Sequence, residues 1–383
     1  GNHSGFPAAF FDDGSGVNIR EGAHENVIGG TTPGTRNYVS GNEASGITLR
    51  EGGTDSNQIF GNSIGTNVPG AALGNAFTAV TIFGTASNNQ IGSLAAGTSN
   101  ILAYNGLGAV SVHDAGTVGN SIRGNSIFSN TGNNASIDLV GSSGVTANDL
   151  NDVDTPTILA VDVGSTGTTI SGSLQSTPNA LFRIEFFAGP AAPAGRREGK
   201  HFIGSFSNTV GSPNGTLNFS GDIPTFIPAG WTVTATATHL MAGTSEFSAP
   251  VAPSIVDTDG DGMPDAYENA NGLSALSGSI DRDDDDKDGD GLTNIDEMRL
   301  GTDPQTFSEG LSIGLVANGM NLDIPFETGT GRTYRVETTS TIGTNELWLP
   351  LIDQVQGTGG TLMITDINAL LRERRVYRLV QTP

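Results

Sequence analysis

The sequence predicts an all-β chain: a short right-handed parallel β-helix, then antiparallel β-sandwich modules separated by an acidic segment. Three observations carry this. An apolar-polar-apolar triplet recurs five times between residues 17 and 139. Glycine is abundant, at 55 of 383 residues, and only 15% of residues are charged, so turns are frequent and solvated helices are disfavoured. Beyond residue 150 the repeat gives way to alternating strands, broken once by a run dense in carboxylates.

The triplets are Val17-Asn18-Ile19, Ile47-Thr48-Leu49, Val80-Thr81-Ile82, Val110-Ser111-Val112 and Ile137-Asp138-Leu139, spaced by 30, 33, 30 and 27 residues. A second pattern follows the first four: Asn26-Val27-Ile28-Gly29, Asn57-Gln58-Ile59-Phe60, Asn89-Gln90-Ile91-Gly92 and Asn120-Ser121-Ile122-Arg123. A third comes next, at Asn37-Tyr38-Val39, Asn62-Ser63-Ile64, Asn100-Ile101-Leu102 and Asn125-Ser126-Ile127. Asn42, Asn67, Asn105 and Asn130 close that third strand. Apolar residues at period two bury one face of each strand. Strands this short must stack on copies of themselves, so residues 1–150 are expected to form about five coils of three strands. Asn at one turn position stacks into a ladder of amides, and Asn and Gly tolerate positive φ. Ile64 and Ile127 should point inward, two coils apart.

Gly61-Asn62-Ser63-Ile64-Gly65-Thr66, Asn26-Val27-Ile28-Gly29-Gly30 and Asn37-Tyr38-Val39-Ser40-Gly41-Asn42 resemble the GNxIGT, NxIGG and NxISGN runs of secreted bacterial β-helix proteins. The resemblance covers about residues 1–150 and implies a fold, not an activity.

Residues 151–252 carry the alternating strands Phe182-Arg183-Ile184-Glu185-Phe186 and Trp231-Thr232-Val233-Thr234-Ala235-Thr236, with shorter ones around Ile170, Phe202-Ile203 and Leu217-Asn218-Phe219. Several short strands over roughly 100 residues fit an immunoglobulin-like β-sandwich. Such a module often follows the β-helix in the class just named, which implies the same here. Residues 306–383 repeat the alternation at Leu322-Asp323-Ile324, Tyr334-Arg335-Val336-Glu337, Leu362-Met363-Ile364 and Val376-Tyr377-Arg378-Leu379, and read as a small C-terminal β-sandwich with Trp348 in its core.

The segment 253–305 holds the one strong chemical signal. Between residues 257 and 303 stand fifteen Asp or Glu against Arg282, Lys287 and Arg299, about half of the chain's net charge of −23. An acidic run is ordinarily a solvated linker. Here it contains two twelve-residue loops, Asp257–Glu268 and Asp286–Glu297, with oxygen donors at positions 1, 3, 5, 9 and 12. These are Asp257, Asp259, Asp261, Asp265 and Glu268, then Asp286, Asp288, Asp290, Asn294 and Glu297. Position 6 is Gly262 or Gly291, where the loop turns; position 7 offers the backbone carbonyl of Met263 or Leu292. This is the EF-hand spacing, which supplies the six to eight hard oxygens that Ca²⁺ takes, and predicts two Ca²⁺ ions with Glu268 and Glu297 bidentate. Short helices should follow, at 265–269 and 293–300, the second ending at Gly301. Asp281, Asp283, Asp284 and Asp285 make no third loop, because no register gives them the Gly and the terminal Glu. The stretch resembles dockerin and thrombospondin type 3 calcium repeats, and that resemblance implies an extracellular protein in which calcium stiffens the joint between two sandwiches.

Other sites are weaker. β-helix polysaccharide lyases and hydrolases work on one outward strand face, here Asn18, Thr48, Thr81, Ser111 and Asp138, with Arg20, Arg50, Phe83 and His113, and Glu21, Glu51 and Asp114 at the turn. Arg beside Glu in successive coils also describes an ion-pair ladder, so catalysis is not expected and glycan contact is the alternative reading. His3, His24, His113, His201 and His239 lack metal-ligand spacing, and Ser142-Ser143-Gly144 precedes no helix that could bind phosphate. Cysteine is absent, which removes disulfides and thiolate chemistry. The negative charge argues against nucleic acid, and no apolar run is long enough for a membrane helix. Gly1-Asn2-His3-Ser4-Gly5 resembles the tail of an earlier coil, and no signal peptide opens the sequence. The expectation is therefore a secreted, calcium-binding structural protein of the cell surface or matrix. Its open first coil is expected to be covered by upstream coils of the same precursor, or to pair with another copy, as in a head-to-tail filament, or with another surface protein.

Overall fold

The computed structural model describes residues 14–31, 35–67, 71–114, 116–132, 136–139, 155–176, 178–209, 215–239, 242–276, 285–288, 292–300, 302–306, 313–328, 333–339, 349–357, 361–366, 369–371 and 376–382. Gly1–Gly5 and His3, Ser142-Ser143-Gly144, Asp281, Asp283, Asp284, Asp290, Gly291, Gly301 and Trp348 lie outside them. The chain is all-β apart from short helices, and divides into two compact units, Gly1–Ile255 and Val256–Pro383.

The first unit opens with a parallel β-solenoid. Its first coil is β1 (Val17–Ile19), β2 (Val27–Gly29) and β3 (Tyr38–Val39); the second is β4 (Ile47–Arg50), β5 (Gln58–Phe60) and β6 (Ser63–Ile64). The third is β7 (Thr78–Phe83), β8 (Gln90–Ile91) and β9 (Ile101–Ala103); the fourth is β10 (Gly108–Val112), β11 (Ser121–Ile122) and β12 (Ser126–Phe128). β13 (Ile137–Leu139) begins a fifth. One sheet runs β1-β4-β7-β10-β13, and the others β2-β5-β8-β11 and β3-β6-β9-β12. That makes about four turns, against the expected five. The register follows the triplets: Val17 pairs with Ile47, Ile47 with Val80, Val80 with Val110 and Val110 with Ile137. Ile64 stacks on Leu102 and Leu102 on Ile127, all three buried, each contributing about 1.5–3 kcal/mol by leaving water.

Asn forms three ladders, not one. Asn26, Asn57, Asn89 and Asn120 make the first, each Nδ2 donating to the next Oδ1 at 2.8, 2.9 and 3.0 Å. Asn37, Asn62, Asn100 and Asn125 make the second, at 3.0, 3.1 and 2.9 Å. Asn42, Asn75, Asn105 and Asn130 make the third, at 2.7, 2.8 and 2.9 Å. The rungs also accept backbone N–H groups, as Asn89 Oδ1 does from Asn57 N at 3.0 Å, so these buried amides are satisfied. Asn75 stands where the sequence reading placed Asn67. Thr66 and Ala72 pair antiparallel, and this small excursion moves the ladder position eight residues along. Gly65, at φ 95°, is required: a Cβ there would lie 1.9 Å from the Ala103 carbonyl oxygen of the next coil.

The first sheet's outward residues alternate with the core as expected, yet they are not a solvent-facing surface. Thr48, Thr81 and Ser111 are 2%, 7% and 6% exposed, and Arg50 and Phe83 are buried too. The hydroxyls bond one another along the stack, as Ser45 Oγ and Thr81 Oγ1 do at 2.8 Å. Asn18, Arg20, Glu21 and Glu51 do remain exposed, while Asp138, His113 and Asp114 are half-buried.

Antiparallel sheets follow in the same unit. The strands are β14 (Thr157–Gly164), β15 (Gly167–Gln175), β16 (Leu181–Pro190), β17 (His201–Thr209), β18 (Thr216–Ile223), β19 (Trp231–His239) and β20 (Gly243–Thr244). They form sheets β14-β15-β18 and β17-β16-β19-β20, which share a core including Ile170, Leu174, Phe182, Ile184, Phe186 and Phe219. This core is not isolated from the solenoid. Phe187 and Phe247 belong to the solenoid's own apolar cluster, stacked edge to face at 5.4 Å. Ile127 pairs with Gly199, the Thr244 hydroxyl accepts Ile122 N at 2.9 Å, and Glu185 accepts Arg123 Nε at 2.7 Å and Gly124 N at 2.9 Å. The antiparallel sheets thus cap the solenoid's last coil, whose backbone groups would otherwise lack partners.

The second unit holds α1 (Asp265–Ala270) and α2 (Asn294–Leu300), then β21 (Val316–Asn318), β22 (Asn321–Glu327), β23 (Thr333–Thr339), β24 (Leu349–Gln356), β25 (Thr361–Asp366) and β26 (Val376–Thr382). Antiparallel sheets β21-β22-β25 and β24-β23-β26 contribute a core of Ile324, Phe326, Tyr334, Val336, Val355 and Leu379.

Candidate metal centre

The first twelve-residue loop is described in full. Its carboxylates are folded inward by their own backbone: Asp257 accepts Gly260 N at 2.8 Å and Gly262 N at 3.1 Å, and Asp261 accepts Met263 N at 2.9 Å. Such bonds from Asp to the amides just downstream set a tight turn. Gly260 and Gly262 take φ of 73° and 99°, open to glycine at no steric cost. Asp257, Asp259 and Asp261 place ligand atoms within 4.8 Å of one another, the one such group of three or more among the described residues. Asp265 opens α1 and bonds Thr258 N at 2.7 Å and Thr258 Oγ1 at 2.6 Å.

Glu268, one turn along α1, is 0% exposed. Neither of its carboxylate oxygens has a hydrogen-bond partner, and Asp259 Oδ2 is likewise buried without one. Burial first, then the charges of Asp261, Asp259, Asp265 and Asp257, push Glu268 up to about 8. A buried carboxylate facing four others, with no donor to either oxygen, suits a bound cation. The donor set is all oxygen, the chemistry that suits Ca²⁺. The residues therefore fit the ion that their spacing predicts.

The second loop is described in part. Asp286 and Asp288 precede the Asp290-Gly291 stretch, Leu292 is half-buried, and Asn294 and Glu297 are 0% exposed at the start of α2. Asn294 N donates to Asp285 O at 2.8 Å, which gives Asp285 a part in the loop's backbone that the spacing did not suggest. The sequence reading also missed the apolar contacts of the two loops. Met263, Tyr267, Leu273 and Met298 are buried, and a Cβ on Gly262 would lie 3.2 Å from Ile295 Cδ1. The Tyr267 hydroxyl is raised by burial, then by Glu297 and Asp303, so the Glu297 charge reaches the first loop's helix. Lys287 Nζ caps the Gly272 carbonyl at 2.7 Å. The apolar residues at positions 7, 10 or 11 of each loop were the available signal.

The remaining candidates that the structure describes lie in the first compact unit. Arg20 meets Glu21 at 3.5 Å and Arg50 meets Glu51 at 3.8 Å, the ion-pair ladder that the sequence offered as one reading. His201 stacks on Trp231 at 5.2 Å, and burial pulls it down to about 4. Burial also pulls His113 down to about 4, against the opposing charge of Asp114.

The bacterial TSP3 repeat family model matches residues 257–272 and 286–306, the two loops and their helices. These repeats bind calcium and are typical of extracellular proteins. The match spans well under half of the chain; with the β-solenoid it fits a bacterial modular protein with calcium repeats. No curated protein matches the chain. Among solved structures, a crystal structure of a tetra-tandem repeat in the extending region of a large adhesion protein is 14% identical, covering 55% of this chain and 39% of that one. Its TM-score of 0.19 establishes no common fold. Among the described residues no helix is long and apolar enough to cross a membrane.

Proposed function

We propose that this chain is an extracellular structural segment of a bacterial surface or matrix protein, in which two Ca²⁺ ions fold the acidic segment. Asp257, Asp259, Asp261, Asp265, Glu268 and the Met263 carbonyl would hold the first ion. Asp286, Asp288, Asp290, Asn294, Glu297 and the Leu292 carbonyl would hold the second. The observation that carries this reading is Glu268, fully buried with both oxygens unpartnered among four aspartates. With millimolar calcium and a site of roughly 10 μM, each ion stabilises its loop by about 2.7 kcal/mol. In this reading the chain has an immunoglobulin-like module after the solenoid, plays a structural role and catalyses nothing. Self-association through the first coil belongs to the same reading: among the described residues β1, β2 and β3 each stand at the edge of their sheet.

Calorimetric titration of chelator-stripped protein tests it. Two calcium ions per chain are expected, and one each for Glu268→Gln and Glu297→Gln. No binding by the parent chain would end the proposal. Light scattering of the calcium-loaded chain addresses the self-association: a monomeric mass at all concentrations would remove it.

A further inference from the structure

The seam where the antiparallel sheets cap the solenoid contains two carboxylates that no calcium loop uses. Asp138 lies on β13, the last solenoid strand, paired in register with Ser111. Glu246 lies just past β20, beside Phe247, which plugs the solenoid core. Glu246 is 1% exposed, and its Oε1 accepts Leu139 N at 3.2 Å. Its Oε2 is buried without a hydrogen-bond partner, and so is Asp138 Oδ1. An ionised carboxylate carries only acceptors, so a buried oxygen with no donor is costly to leave charged, and a proton or a cation relieves it. A calcium ion would want six to eight oxygens, and among the described residues no third carboxylate or histidine joins these two within ligating distance. Arg197, whose charge also reaches Glu246, spends Nη1 on the Phe247 carbonyl at 3.3 Å.

We propose that Glu246, buried at the seam and bonded to the backbone next to Asp138, keeps its proton in the folded chain, and that this protonated state fastens the capping sheets to the last strand of the solenoid and makes that joint pH-sensitive.

The direction follows from both groups. Burial, and then the Asp138 charge, push Glu246 from 4.5 up to about 7 against the pull of Arg197 and Leu139 N. Burial pushes Asp138 from 3.8 up to about 6. The folded chain thus retains a proton that the unfolded chain has already released. Stability of the first unit is greatest in mild acid and falls as pH rises through the window between those values. The other titratable groups along the seam have partners of their own. Glu198 meets Arg196 at 3.6 Å and accepts Ser129 N, Glu185 meets Arg123, and Lys200 sits over the Phe128 ring at 5.3 Å. Glu198 is also raised by burial, so a variant at the pair is needed to isolate its share.

The experiment uses the full chain carrying Trp348→Phe. Trp231, packed against the first unit's core, is then the sole tryptophan and reports that unit alone. Its thermal transition is followed in chelator from about pH 5 to about pH 8. The parent should lose at least about 3 °C across that range. Glu246→Gln and Asp138→Asn, neutral mimics of the protonated forms, should each flatten the profile and melt higher than the parent at the alkaline end. Profiles parallel to the parent's in both single variants would overturn the proposal. So would a gain with calcium at alkaline pH that Glu246→Gln abolishes, since the pair would then hold a metal. If Glu246→Gln does not fold, Asp138→Asn carries the same test.

Discussion

Removing the plug between solenoid and cap is the sharpest test of how the first unit is built. Phe247 lies in the sequence of the antiparallel module but is 1% exposed within the solenoid's cluster, edge to face with Phe187. Phe247→Ala would leave a ring-sized void at the joint, at a cost of about 3–5 kcal/mol. For a unit of this size that lowers the melting temperature by about 6–20 °C. The opposite perturbation reaches the same point, because a Cβ on Gly199 would stand 2.6 Å from Phe247 Cε1 and 2.7 Å from Phe187 Cγ. Gly199→Ala therefore overpacks the plug and costs about 1–3 kcal/mol. The assay is the Trp231 melting curve in the Trp348→Phe chain. Leu159→Ala, at a side chain 68% exposed, serves as the reference and should stay within about 0.5 kcal/mol of the parent. A Phe247→Ala chain that melts with the Leu159→Ala chain would refute the capping argument.

Three further outcomes are expected. Arg123→Ala strands the fully buried Glu185 with only the Gly124 amide, and should destabilise the first unit by about 3–5 kcal/mol, read from the same curve. Ile64→Asp buries an unpaired charge inside the Val39, Ile64, Leu102 and Ile127 stack and should leave the solenoid unfolded by circular dichroism; a native spectrum would contradict the register. Glu297→Gln should cost one calcium ion by calorimetry and leave the Trp231 transition unmoved, because the residue lies in the second compact unit.

Much of this was legible in the residues themselves. The triplets beginning at Val17, Ile47, Val80, Val110 and Ile137 pair in the register that their alternation implied, because a strand's buried face is written at period two. The clustering of Asp257, Asp259 and Asp261 was legible for a related reason: a calcium loop collects its ligands from twelve consecutive residues, so spacing is nearly geometry. Asn67 shows where that logic stops. A short antiparallel excursion handed the ladder to Asn75, and nothing in a run of Asn and Gly says which residues leave the coil.

What only the tertiary structure decided lies between residues far apart in the chain. Nothing in the sequence sets Phe187, Phe247 or Glu246 apart, and Glu185 reads as one polar position of an alternating strand. Each is instead spent on the solenoid's last coil, and the outward face of Thr48, Thr81 and Ser111 is buried. Periodicity names the face that a strand buries, but not the surface it is buried against. That choice depends on which unsatisfied edge and which apolar plug meet when the elements pack, and those partners share no spacing in sequence.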